Sequence, residues 1–337
     1  MHRATLASVT SPGMQVSLII ECENVNDVGA DRAGRVMRAL HAQIVEVSAR
    51  RSLNGEILVM YAAGSANASE ILAAVGAALG PSCPWPVRAI PCEGPPYQYY
   101  EQKNQAARLA QGDVLVYLDS DCIPQPGWLE SLLAAFDRPD VVACAGVTSI
   151  DRDSRYSRLF AYLSDWPIED PGTEAVVLAR NGCANNVAFR RTLFLAHPYP
   201  DNGSYKARCV QLWQELAAAG ITLHRANRAL VLHPAPVNPR HFAAKAIGLG
   251  HDYGLQFRNR GGAGRRSALA CAHAKFMQNF SATRARLPGA ERRIGAGTRV
   301  MGLTLAIVYY SIAATATLAS IRYHGPVNRF LGLATNH

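Results

Sequence analysis

Five large or β-branched apolar residues in a row, Val114-Leu115-Val116-Tyr117-Leu118, stop at two carboxylates one residue apart, Asp119 and Asp121. A strand without polar alternation has to be covered on both faces, so this segment belongs inside a sheet flanked by helices on either side. Pro124 and Pro126 restart the chain, and Trp128, Leu129, Leu132, Leu133 and Phe136 then recur at helical spacing. The unit reads strand, acidic turn, helix. Ligands of parallel α/β sheets bind beyond the carboxyl ends of the strands, and two acids placed there repel unless a cation joins them. Oxygen donors of this kind suit Mg2+ or Mn2+ with phosphate oxygens completing the shell. Taken alone, Asp-Ser-Asp is also an ordinary turn sequence, so the neighbouring segments decide.

Those segments repeat the same alternation. VSLII at 16–20 is a continuous apolar run that opens into Glu21-Cys22-Glu23-Asn24. Behind it, Val36, Ala39, Leu40 and Ile44 share one helical face, with Asp31 as the expected cap. EILVMY at 56–61 predicts a second strand, followed by a small-residue loop and a helix near 70–79; a short strand is expected at 87–90 and a helix over 97–111. Strands alternating with helices predict a mostly parallel sheet with right-handed crossovers. VVACAGV at 141–147 and 174–178 add strands. An aromatic stretch over 151–171, with Tyr156, Phe160, Tyr162 and Trp166, is expected either to cover a site or to pack in the core. A helical stripe through Val210, Trp213, Leu216 and Ala217 stops at Gly220, and two short strands are expected at 221–224 and 229–232, before His233.

The order of these parts resembles the family 2 glycosyltransferases, with their nucleotide-sugar-binding GT-A fold. The resemblance is carried by VSLII with Asn24, by EILVM with Gly64-Ser65, and by Asn104 followed by A-x-x-A-Q-G-D at 107–113. It continues through DVLVYLDSDCIPQPGWLESLL at 113–133, NNVAFRR at 185–191, L-x-x-x-G at 216–220 and His233. Several colinear motifs are far more specific than any one of them. The resemblance implies that Asp119 faces the nucleotide, with Glu23, Asn24, Lys103 and Asn104 as further donor-binding candidates. It implies a metal site of Asp121, with Asp119 and His233 beside it. The implied activity is transfer of a sugar from a nucleotide-diphosphate donor to an acceptor hydroxyl, inverting and dependent on Mg2+ or Mn2+. Two positions depart from the family pattern. The loop after the second strand, Tyr61-Ala62-Ala63-Gly64-Ser65, lacks the usual acid for the base, and the usual general-base position holds Arg208-Cys209. Asp201 and Glu215 are the substitute base candidates, with Asp165, Glu169 and Asp170 as other acids nearby; a catalytically impaired domain that binds donor or serves assembly is the alternative.

Charge separates the rest of the chain. Residues 240–299 hold twelve Lys/Arg against two Asp/Glu, whereas the remainder carries 22 against 23, so the net charge of +9 is a property of this tract. Residues 300–321 then run without a formal charge, long enough as a helix of about 33 Å to cross a bilayer core of roughly 30 Å. The expected division is a GT-A domain at 14–238, a basic helical extension at 239–299, and an apolar helix at 300–321 that spans the membrane or lies on it, with Val300, Leu303, Ile307, Tyr310, Leu318 and Ile321 along one side. A basic flank beside an apolar run favours anionic lipid as its partner, and no recognised nucleic-acid module accompanies it. The expected location is the cytoplasmic face of a membrane, anchored or peripheral, acting on a carbohydrate or lipid-linked acceptor. The N-terminus lacks the apolar core of a signal peptide, and the eight cysteines show no C-x-x-C spacing, so they are expected as reduced thiols.

Overall fold

The computed structural model describes residues 14–51, 53–94, 99–164, 166, 174–262, 264–291 and 296–333. In chain order the elements are β1 (Gln15–Glu21), α1 (Val25–Val28), α2 (Ala30–Arg51), β2 (Asn54–Ala62), α3 (Ala68–Ala78), β3 (Val87–Cys92) and α4 (Tyr99–Leu109). They continue with β4 (Val114–Asp119), β5 (Ile123–Pro124), α5 (Trp128–Ala134), β6 (Ala143–Ile150), α6 (Arg155–Phe160), β7 (Val176–Ala179), β8 (Asn186–Arg190), α7 (Arg191–Ala196) and α8 (Arg208–Ala218). β9 (Leu223–His233) leads into four helices, α9 (Pro239–Asn259), α10 (Arg265–Glu291), α11 (Ala296–Arg322) and α12 (His324–Leu331).

All nine strands form one sheet in the order β3-β2-β1-β4-β8-β6-β9-β5, with β7 also paired to β9. The β3-β2-β1-β4 half is parallel throughout, and β8 runs against both β4 and β6. This is the mixed, mostly parallel sheet expected from the alternation. Successive residues of the buried strands feed opposite layers. Leu18, Ile20, Val116 and Leu118 pack with α2, α3 and α5, while Ile19, Leu115 and Tyr117 pack with α4, α7 and α8. Full burial of one such Leu or Ile contributes about 1.5–3 kcal/mol, so the run at 114–118 fixes β4 at the centre of the sheet.

β9 differs from expectation: the segments foreseen as two short strands are halves of one. Between Ala145↔Arg225 and Val147↔Leu230, β6 advances by two residues and β9 by five, which is a bulge on β9. Asn186, fully buried on β8, holds this break together. Its Nδ2 donates to the carbonyls of Val147 at 2.9 Å and Ala229 at 3.0 Å, and its Oδ1 accepts from Trp128 Nε1 at 2.8 Å. Only glycine fits at 146, because a Cβ there would sit 2.3 Å from Asn186 Oδ1. Asp31 also differs, lying inside the first turn of α2 rather than capping it.

The C-terminal helices pack back on the carboxyl end of the sheet. Ile150, Phe160 and Leu163 share an apolar cluster with Ala246 of α9 and with Ala306, Tyr309 and Tyr310 of α11. α11 lies against α9 largely through small residues. Its buried side is Gly302, Ala306, Tyr309, Tyr310, Ala313, Ala316, Thr317 and Ser320, whereas Val300, Met301, Ile307 and Val308 are exposed. The reason is on the partner helix: a Cβ on Gly250 would meet the Ala313 carbonyl at 2.1 Å, and one on Gly254 would meet the Ser320 Cβ at 2.8 Å. All eight cysteines are unpaired.

Candidate active site

β4 delivers Asp119 to the sheet's carboxyl edge beside Glu21 of β1, its register partner. Both oxygens of Asp119 are engaged. Oδ1 accepts from Lys103 Nζ at 2.6 Å; Oδ2 accepts from Tyr99 OH at 2.9 Å and from Asn24 Nδ2 at 3.2 Å. Lys103 is fully buried behind this carboxylate, so it acts on the site through Asp119 and does not reach the cavity in front of it. Burial, and then the charge of Asp119, hold the neighbouring Glu21 well above the usual carboxylate range. Glu23 is buried nearby, its Oε2 accepting from Gln102 Nε2 at 3.2 Å.

Asn104 proves to be a clasp. Its Nδ2 donates to the Tyr199 carbonyl at 2.8 Å and its Oδ1 accepts the Tyr199 N–H at 3.0 Å. The amide imitates a backbone unit and binds α4 to the loop before α8.

Asp121 and His233 meet where the turn after β4 faces the end of β9. His233 Nδ1 lies 2.7 Å from the Pro234 carbonyl, which can only accept, so Nδ1 carries the proton. Burial, and then the charge of Lys245, push the imidazole well below its ordinary value, so it is neutral. Its bare Nε2 therefore points at Asp121 Oδ2 from 3.5 Å, two acceptors facing one another rather than an ion pair. Cys122 completes the group within 4.8 Å, but its thiol is pushed up by burial and donates to Asp121 Oδ1 at 3.3 Å, orienting the carboxylate. One imidazole nitrogen and one carboxylate oxygen with a shared unfilled direction fit a divalent cation.

Arg32 of α2 holds both halves of this pair by their backbones. Nε donates to the Asp121 carbonyl at 2.6 Å, Nη2 to the Leu232 carbonyl at 2.9 Å, and Nη1 pairs with Asp151 at 3.2 Å. Sequence reading passes over this residue, because one arginine in an amphipathic helix carries no signal of its own.

In front of Asp119 and His233 lies a cavity of about 370 Å3. The sheet supplies Asn185 and Ile150; the aromatic stretch supplies Phe160 and Trp166, the latter with its ring centre 4.6 Å from that of His233. Lys206 lines it from the loop before α8, and α9 contributes Lys245, Leu249, Asp252 and Tyr253, with Tyr309 and Tyr310 from α11. Asp252 was not foreseen. Its oxygens accept the Tyr205 N–H at 2.6 Å and the Lys206 N–H at 2.8 Å, and burial raises it to about 6. The two foreseen base candidates are elsewhere. Asp201 is exposed and 3.6 Å from Arg208, Glu215 is exposed on α8 and bonded to Gln211, and neither lines the cavity. Asp165, Glu169 and Asp170 fall outside the described residues. Arg208 itself is buried and pairs with Glu101 at 2.7 Å, so it supplies no base.

Residues 83–194 match the sequence model of Glycosyl transferase family 2. A glucosyl-dolichyl phosphate glucuronosyltransferase of Haloferax volcanii is 30% identical over 97 residues, a stretch covering 28% of this chain and only 31% of that relative's length. Among solved structures, the mannosyltransferase PcManGT of Pyrobaculum calidifontis, in complex with GDP-Man and Mn2+, superposes with a TM-score of 0.53 at 17% identity, over 93% of this chain and 88% of that one. The alternating sheet, the acidic turn at 119–121 and these matches agree: the chain has the GT-A fold, and its residues 83–194 are similar to the family 2 glycosyltransferases.

Proposed function

We propose that this protein is a membrane-attached glycosyltransferase that takes a sugar from a nucleotide-sugar donor held by a divalent cation at Asp121 and His233. The observation that carries the reading is the 3.5 Å approach of two lone-pair donors, His233 Nε2 and Asp121 Oδ2, with no hydrogen between them. Mn2+ or Mg2+ bound there would act as a Lewis acid on the diphosphate as it departs. Asp119, pinned by Lys103, Tyr99 and Asn24, presents a fixed anion toward the donor. Trp166 and the C-terminal helices wall off the reacting carbon from water. A single displacement at that carbon inverts it. The structural neighbour's GDP-Man and Mn2+ are a donor and an ion of the same kind.

Membrane attachment rests on α11, whose 297–322 stretch is long and apolar enough to span, and on its exposed Val300, Met301, Ile307 and Val308. The acceptor is a carbohydrate or lipid-linked molecule that enters beside these helices.

The test is a panel of nucleoside diphosphates and nucleotide sugars, with binding and slow donor hydrolysis followed with and without Mn2+. Binding that needs Mn2+ and disappears in Asp121→Ala is expected. Absence of any metal-dependent binding sinks the reading, and binding without turnover on any acceptor makes the protein a donor-binding component instead.

A further inference from the structure

A groove of about 650 Å3 opens between α9, α11 and α12 and shares no lining residue with the active-site cavity. Ile247 lines it from α9, Ser311, Thr315 and Ala319 from α11, and Val327 and Phe330 from α12. The Thr315 hydroxyl donates to the Ser311 carbonyl of its own helix at 3.0 Å, so it asks nothing of an occupant. Along α11 the groove runs from Ser311 to Tyr323, about 18 Å at 1.5 Å per residue. That is close to the depth of one leaflet, since the hydrocarbon core of a bilayer is roughly 30 Å thick. Val308, Thr315 and Ala319 share a helix face by their spacing, so the groove continues the exposed apolar side of α11 that carries Val300, Met301, Ile307 and Val308.

The groove is shaped in advance, and its corner is basic. α12 is fixed on its inner side, where His251 Nε2 lies 2.9 Å from Oδ1 of the fully buried Asn328 and Leu331 clusters with Tyr205. Tyr323 and Phe330 stay exposed on the groove's rim. The Arg322 guanidinium lies 5.3 Å from the centre of the Tyr323 ring, and Arg329 turns back along α12, its Nη1 3.9 Å from the place of a Cβ on Gly325. Both arginines are exposed, and among the described residues neither forms an ion pair. From Tyr253 to the C-terminus the sequence holds a single acid, Glu291, so neither α11 nor α12 carries a negative charge of its own.

We propose that this groove binds one anionic phospholipid, with an acyl chain laid between Ile247, Thr315 and Phe330 and the phosphate on Arg322 and Arg329. The proposal rests on the membrane-attachment reading and is independent of the glycosyltransferase one. Charge selects the occupant. A second copy of this chain would bring four unpaired arginines to one interface, and like charges brought together oppose association. An uncharged apolar chain leaves the arginines without a partner, and a soluble anion leaves the apolar walls in water. A lipid with an anionic head satisfies both parts of the site.

The test incubates the full-length protein in mild detergent with dimyristoyl phosphatidylglycerol or dimyristoyl phosphatidylcholine. Lipid retained per chain is counted by native mass spectrometry, and flotation on vesicles of each lipid is followed separately. One phosphatidylglycerol per chain is expected, held at least about tenfold more tightly than phosphatidylcholine, as two arginines at a lipid phosphate require. Thr315→Trp, at an exposed position where the ring fills the groove, should abolish retention. Arg322→Gln with Arg329→Gln should remove the preference for phosphatidylglycerol, and Arg284→Gln, exposed on α10, should change neither result. Retention that survives Thr315→Trp overturns the proposal, as does equal retention of the two lipids. So does a lipid-free dimer that Thr315→Trp dissociates, since the groove then meets a second copy. Wild-type protein that floats but retains no lipid removes the groove site alone; protein that neither floats nor retains lipid removes the membrane-attachment reading with it.

Discussion

Arg32 grips Asp121 by its backbone, not its carboxylate: Nε donates to the Asp121 carbonyl at 2.6 Å while the same guanidinium donates to Leu232, the residue before His233, at 2.9 Å. One side chain from α2 thus sets the separation of the two groups proposed to hold the cation. Arg32→Ala orphans two buried carbonyls and the Asp151 carboxylate, for an expected loss of about 2–4 kcal/mol in urea unfolding. The informative comparison is Arg32→Lys, which keeps the charge but not the fork. It should weaken Mn2+-dependent nucleotide binding more than it lowers stability.

Lys103 makes a second prediction. It is fully buried and its ammonium meets Asp119 at 2.6 Å, with Glu21 at 3.9 Å. Lys103→Met leaves Asp119 with only neutral donors in a closed site, a change that costs about 3–5 kcal/mol when one member of a buried pair is removed. Adding Asp119→Asn should recover part of that stability in thermal unfolding without restoring donor binding. Equal stability of the single and double variants would show that the two charges are uncoupled.

The close contact of α9 with α11 is testable at one atom. Gly250→Ala places a methyl 2.1 Å from the Ala313 carbonyl, backbone that cannot turn aside. Helix separation has to grow, and an expected loss of about 1–3 kcal/mol should appear in chemical unfolding. Gly297→Ala, in open space on α11, is the control with no predicted loss.

Acid should destabilise the C-terminal helices. Burial lowers His251 to about 4 and His241 to about 3, against an ordinary value of about 6.5 in the unfolded chain. Between these values the unfolded state binds the protons, so stability is full above pH of about 6.5 and falls as pH drops toward 4. At pH 5 the loss is on the order of 2 kcal/mol per histidine. Asp252 runs the other way: raised to about 6, it favours the folded state at acid pH and loses that contribution as pH rises from about 4 to 6. A melting series from pH 8 to 5 should still decline, and His251→Asn should flatten it.

The sheet was legible because its signal is local. Val114 to Leu118 and Val16 to Ile20 are apolar on both faces, a pattern that dictates burial wherever the strands pair. Asp119, Asp121 and His233 were legible for a related reason, since each stands directly at the end of such a run. The rest of the site is assembled from a distance. Lys245 and Asp252 lie on an amphipathic helix in a basic tract, and sequence shows only that they are charged. Their place in the cavity wall is set by glycines that admit α11 and by Tyr205, which packs where Gly248 has no side chain. Asn104 shows a limit of another kind: a side-chain amide that binds ligands and one that binds backbone, as this one does at Tyr199, have the same sequence signature. The face of α11 that meets α9 carries no apolar stripe of large residues to read, because packing there is governed by how near two backbones come, which favours alanine and glycine over leucine.

α9 is a party wall. One side carries Lys245, Leu249 and Asp252 into the cavity; another carries Gly250 and Gly254 against α11 with backbone touching backbone. At those two glycines the helices approach too closely for a side chain to intervene, so a displacement of one helix there moves the other. Whatever bears on the exposed flank of α11 thereby bears on the cavity wall that α9 forms with Lys245, Leu249 and Asp252.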